Sequence, residues 1–74
     1  MPYDYSELRG KIKAKFNTQA KFAVAMGFSP RTCSLKLKGK VPWKQSEILK
    51  ACKLLNIPET AISTYFFTLK VQSD

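Results

Sequence analysis

A helix stop and a helix start lie side by side in this chain, and that adjacency constrains its fold more than any other feature. Gly27 follows the apolar positions Phe22, Ala23 and Met26; a glycine there closes a helix by taking the left-handed conformation that other residues resist. Ser29 and Pro30 come next. Serine offers its hydroxyl to an unpaired backbone N–H, and proline suits the first helical position because the N–H it lacks has no partner there. The pattern predicts two short helices joined by a turn of Gly27, Phe28 and Ser29. The first runs from Gln19 to Met26 with Thr18 as its cap, and the next from Pro30 to about Lys38, stopping at Gly39. Ala23 keeps the crossing of these helices close, while Phe28 and Cys33 tie both to a core.

The flanking segments are helical as well. Leu8, Ile12 and Phe16 recur every fourth residue and make the apolar stripe of a helix from about Tyr5 to Phe16. Asp4 and Glu7 have the spacing of a capping box at its start. Ile48, Ala51, Cys52 and Leu55 give an inward face to a helix over roughly Lys44 to Leu55, closed by Asn56. A last short helix is expected from about Pro58 to Tyr65, carrying Ala61, Ile62 and Tyr65. Beyond it, Phe67, Leu69 and Val71 alternate with Thr68, Lys70 and Gln72, a strand signature. The expected architecture is all-α: five helices in a single domain spanning residues 1–74, with a helix-turn-helix over 18–39 and an extended tail over 66–72. With 74 residues, such a domain buries only about 60% of its unfolded surface, so the core must be lean.

Charge narrows the function. The net charge is +8, and no acidic residue occurs between Glu7 and Glu47, a stretch that carries ten lysines and arginines. Clustered positive charge of that kind favours a polyanion, although a solubilising surface is the plainer alternative. The chain has no histidine and two cysteines, a poor zinc set; Cys33 and Cys52 read as reduced core residues of a cytoplasmic protein, with a disulfide between them left open. No signal peptide or membrane segment is expected. An enzyme fails on inventory, for want of a catalytic carboxylate pair, a phosphate-binding glycine loop or a base beside either cysteine. No cofactor, metal or small-molecule substrate is implied.

The segment QAKFAVAMGFSPRTCSLKLKG, Gln19 to Gly39, resembles the helix-turn-helix of the Cro/CI-like, lambda-repressor-like family in its length and in its Gln, Ala and Gly positions. The five-helix arrangement extends the likeness over residues 5 to 65. The end of the chain, around YFF, looks similar to small Cro-like proteins of temperate phages of Gram-positive bacteria, a group that includes an antirepressor-type modulator acting on the phage repressor. The resemblance implies that helix 3 enters the DNA major groove. Thr18 and Gln19 then hold a phosphate at the start of helix 2. Arg31 and Ser34 face the bases, with arginine favouring guanine, and Ser29, Pro30 and Leu35 border that reading face. Lys38 and Lys40 contact the backbone, with Lys36 and Lys44 as weaker phosphate candidates. Each has a plainer reading: Thr18 and Ser29 are caps in any case, Gln19 suits an ordinary surface, and Lys11, Lys13 and Lys15 suit a solvated face. Trp43 is either a cover over the core or a contact surface.

Two positions depart from the family. Lys36 stands where an apolar residue is usual, so that Leu37 takes over the core role if helix 3 is slightly rotated, leaving Leu35 exposed. Pro30 replaces a base-reading amide. Two functions follow. In the first, a homodimer paired through Phe66, Phe67, Leu69 and Val71 binds a palindromic operator in double-stranded DNA as a transcriptional regulator; the tail folding back on its own core is the alternative. In the second, the fold is kept but an apolar patch with Leu35 captures a repressor protein. Either would operate in the cytoplasm, that of a bacterial host if phage-encoded.

Overall fold

A computed structural model describes residues 3–69. Five α-helices follow in order: α1 Ser6–Phe16, α2 Gln19–Met26, α3 Pro30–Leu37, α4 Gln45–Leu55 and α5 Ile62–Phe66, the last preceded by a 3-10 turn over Glu59–Ala61. The expected boundaries of α2 and α3 hold because local chemistry sets them. Thr18 Oγ1 accepts the Lys21 N–H at 3.2 Å, and Ser29 Oγ accepts the Thr32 N–H at 3.2 Å. Gly27 closes α2 at φ 79°, its N–H reaching the carbonyls of Ala23 and Val24. The turn thus spends its few residues on satisfying helix ends that would otherwise leave polar groups bare.

α1 lies against α2, α4 and α5, and α2 lies against α3 and α4. The centre is made of Leu8, Phe22, Cys33, Leu37, Leu55 and Phe66, all essentially closed to solvent. Ala23 is buried, as its place on α2 requires. Cys33 and Cys52 are both buried free thiols, and burial raises the pKa of each. Among the described residues, no helix is long and apolar enough to cross a membrane.

Two expectations are corrected. Asp4 and Glu7 form no capping box. Tyr5 occupies the cap of α1 without a side-chain bond, and Asp4 Oδ1 instead accepts the Ser6 N–H at 2.9 Å. Burial of the Tyr5 ring explains the choice, since packing rather than capping places that residue. The expected strand does not begin at Phe66 either: Phe66 is the last residue of α5 and lies in the core. Thr68 then binds back to Thr64 O, its own carbonyl accepts the Asp4 N–H at 2.7 Å, and Leu69 makes an isolated antiparallel bridge with Tyr3. The described part of the tail therefore folds onto the start of its own chain; Val71 lies outside the described residues.

Gly27 and Gly10 separate conformational strain from crowding, because a Cβ would meet nothing within 4 Å at either site. Gly27→Ala should cost about 1–2 kcal/mol through its positive φ alone. Gly10→Ala, inside α1, should instead stabilise by about 0.5–1 kcal/mol. Thermal melts of the two variants moving in opposite directions, by about 4–8 °C per kcal/mol, check the assignment.

Candidate functional site

The expected binding residues around the turn between α2 and α3 differ in their exposure. Gln19, Pro30 and Arg31 are exposed, as are Thr18 and Ser29, whose hydroxyls are already used as helix caps. Ser29 Oγ also donates to Thr32 Oγ1 at 2.9 Å. Ser34 is half-buried. So is Leu35, which the sequence placed in the open; its carbonyl accepts the N–H groups of Lys40 and Val41 at 2.9 and 3.4 Å. The connection after α3 folds tightly back on Leu35 and draws it partly under cover. Arg31 is left as the one charged, exposed side chain in the first turn of α3, a narrow basis for reading bases.

Lys36 is not a phosphate ligand. Only 4% of it is accessible, and its ammonium points into the protein. Nζ donates to Glu47 Oε1 at 2.8 Å and to the Pro42 carbonyl at 2.9 Å. It also lies over the rings of Phe28 and Trp43, 5.3 and 5.9 Å from their centroids. A cation withdrawn from water needs this set of partners, because desolvation would otherwise outweigh any single attraction. The surroundings are reciprocal: Trp43 Nε1 donates to the Lys36 carbonyl at 3.2 Å, and Glu47 Oε1 also accepts the Lys44 N–H at 2.8 Å, satisfying a donor at the start of α4. Burial alone would raise the Glu47 pKa. Hydrogen bonds from Lys36 and from the Lys44 backbone, together with the charges of both lysines, outweigh it and hold the carboxyl below its ordinary value.

Trp43 resolves toward the core cover, packing edge-to-face on Phe28 and Phe66 with centroids 5.9 and 5.2 Å apart. Beside it the surface stays apolar. Trp43, Ile48, Leu49, Ile62 and Phe67 line a shallow depression, with Leu49 and Phe67 each 48% exposed. Phe67 was expected as a contact residue of the tail, but its grouping with Leu49 was missed in sequence because Leu49 sits one place off the helical stripe and Phe67 reads as part of a strand. Lys38 and Lys40 are exposed just beyond the end of α3. There they meet Arg9 of α1, whose Nη1 donates to the Leu37 carbonyl at 2.9 Å, a C-terminal carbonyl of α3. Lys44, the remaining phosphate candidate, is exposed at the cap of α4. Among the described residues, no group of three or more His, Cys, Asp or Glu could hold a metal.

A family model described as a protein of unknown function, DUF739, matches residues 1–69. The chain belongs to this DUF739 family. The chain is also similar to a protein of known structure, the modulator of repression of the temperate bacteriophage TP901-1 from Lactococcus lactis, solved in solution. That structure is 56% identical to this chain, with a TM-score of 0.80 over 97% of each chain. No curated protein matches. The DUF739 chain is thus similar over nearly its whole length to a phage regulator whose name specifies modulation of repression.

The pair of a buried lysine and a partly buried carboxylate gives a directional test. Removing one partner should destabilise, by about 2–4 kcal/mol for Glu47→Ala, which strands the buried ammonium, and by less for Lys36→Ala, which leaves a carboxylate that water still reaches; Lys36→Met with Glu47→Leu should fall within about 1 kcal/mol of the parent or exceed it. Because the Glu47 pKa is lowered by folding, its contribution is complete above the unfolded carboxyl value and is lost as pH falls through the folded one. Denaturant titrations from neutral pH down through the carboxylate range should show a parent-specific loss that Glu47→Gln lacks.

Proposed function

We propose that this protein is a modulator of repression: it binds the repressor protein of a temperate phage and changes that repressor's hold on its operator. The observation that carries this reading is the likeness to the TP901-1 modulator, 56% identical over 97% of both chains. Two features of the surface support it. Base-reading chemistry on α3 is reduced to Arg31 and Ser34, flanked by Pro30 and a half-covered Leu35. An apolar face around Leu49, Ile62 and Phe67 is open to solvent beside the rigid Trp43 cover, and apolar faces of this kind bind other proteins more often than they bind nucleic acid. The protein then acts without catalysis or cofactor, in the cytoplasm of a bacterial host.

A second reading, operator recognition by α3 in a helix-turn-helix of a Cro-like dimer, is favoured by the exposure of Arg31 directly after the Ser29–Pro30 helix start. Arg31 would contact guanine, with Thr18 and Gln19 on a flanking phosphate.

Substitution separates the two. Under the first reading, Leu49→Asp and Phe67→Ala should each weaken binding to the repressor of the same phage by about tenfold or more, while Arg31→Ala leaves it unchanged. Calorimetric titration against the repressor, and selection of duplexes from a random pool, give both readouts. An enriched operator lost with Arg31→Ala, together with no repressor binding, would replace the first reading by the second.

A further inference from the structure

The apolar depression beside Trp43 continues past Leu49. A second depression, of about 220 Å³, adjoins the first, of about 440 Å³, and Leu49 and Ile62 line both. The two make one groove between α4 and the 3-10 turn with α5. It runs from Trp43 and Gln45, at the start of α4, to Lys53 and Ile57 near its end. The distance along α4 from Gln45 to Lys53 is about 12 Å. Between those ends the lining is apolar, and its polar groups stand at the two mouths: Gln45 at one, Lys53 and Glu59 at the other.

These walls select the form of what they hold. They are the sides of helices, whose backbone groups bond along their own axes, and among the described residues there is no strand edge to extend. A segment entering such a groove finds no backbone partner there, so its own N–H and C=O groups must be satisfied from within, as in a helix. A polyproline segment stacks on rows of open rings, whereas Trp43 is already committed edge-to-face to Phe28 and Phe66. The length fits as well: about 12 Å is two turns, which seats apolar side chains at i, i+4 and i+7 of one helix. Charge argues against a second copy of this chain as the occupant. Lys44, Lys50 and Lys53 are exposed on α4, and pairing two copies through the groove would bring both sets together. Lys53 makes no hydrogen bond to any described residue, and at the mouth of the groove it calls for a carboxylate from outside.

We propose that the groove between α4 and α5 receives one amphipathic helix of the repressor, two turns of it, with apolar side chains on Leu49 and Ile62 and a carboxylate at Lys53. This rests on the modulator reading and names the element of the partner that the reading leaves open. Trp43 is the single tryptophan of the chain and lines the groove, so its fluorescence reports occupancy. The probes are the helices of the same phage's repressor, each made as a tryptophan-free peptide held helical by a side-chain lactam. One of them should shift the Trp43 emission to shorter wavelength and displace the full repressor. A proline at the centre of that peptide should abolish both effects. Lys53→Glu should melt as the parent does and weaken the peptide by about tenfold, and exchanging the facing carboxylate of the peptide for lysine should restore it. Lys15→Glu, on α1, should change the affinity less than twofold. If the full repressor binds but no helical peptide displaces it, or the proline peptide binds equally well, or Lys53→Glu acts no more strongly than Lys15→Glu, the helix assignment is overturned and the modulator reading stands. A Trp43 shift that grows with the concentration of this protein alone would assign the groove to a second copy. Failure of the full repressor to bind at all overturns the modulator reading, and this occupant with it.

Discussion

One ammonium group organises the C-terminal half of this molecule. Lys36 Nζ joins α3 to the first turn of α4 through Glu47, fixes the intervening chain through Pro42 O, and lies against the rings of Phe28 and Trp43. An apolar residue at that position could fill the space but could not dictate where Pro42 and Glu47 must sit. A buried cation is less forgiving, since every misplaced partner leaves charge uncompensated. The approach of the start of α4 to the end of α3, and the placement of Trp43 beside the apolar face, are tied together by that one set of contacts.

Much of the fold was legible because its decisive features are local. Thr18, Gly27, Ser29 and Pro30 act within one turn of themselves, so the limits of α2 and α3 could be read from residue type alone. Errors occurred where tertiary packing overrode a local signal. Asp4 and Glu7 had the spacing for a capping box, but burial of Tyr5 set the start of α1 differently. Phe66 began an alternating pattern, yet its ring serves the core better as the last residue of α5. Lys36 was recognised as standing in an apolar place and was still read as a surface charge. The missing clue was Glu47, the first carboxylate after a long run of cations, eleven positions away and reachable only once α3 and α4 are packed.

The binding surfaces were less legible than the fold, for a related reason. Exposure is a property of the assembled molecule: Phe67 was expected as a contact residue of an extended tail, but nothing local marks Leu49 or joins the two in one face. The assembled protein keeps two chemistries apart: cations gather along α1 and the end of α3, while apolar side chains open between α4 and α5.

The contact between Asp4 and Thr68 has a kinetic consequence. It joins positions near opposite limits of the described chain, so its formation closes almost the largest loop the polypeptide can make. Such closures come late in folding, because the chain entropy they cost is offset only after nearer contacts exist. The same joint is then among the first to open: outside the packing of α5 on α1, only it and a bridge of one residue pair at Tyr3 and Leu69 tie these described segments together. Amide exchange in the intact protein should follow that order, with the ends releasing their protons well before the α2–α3 turn, which is secured from within a few residues of itself.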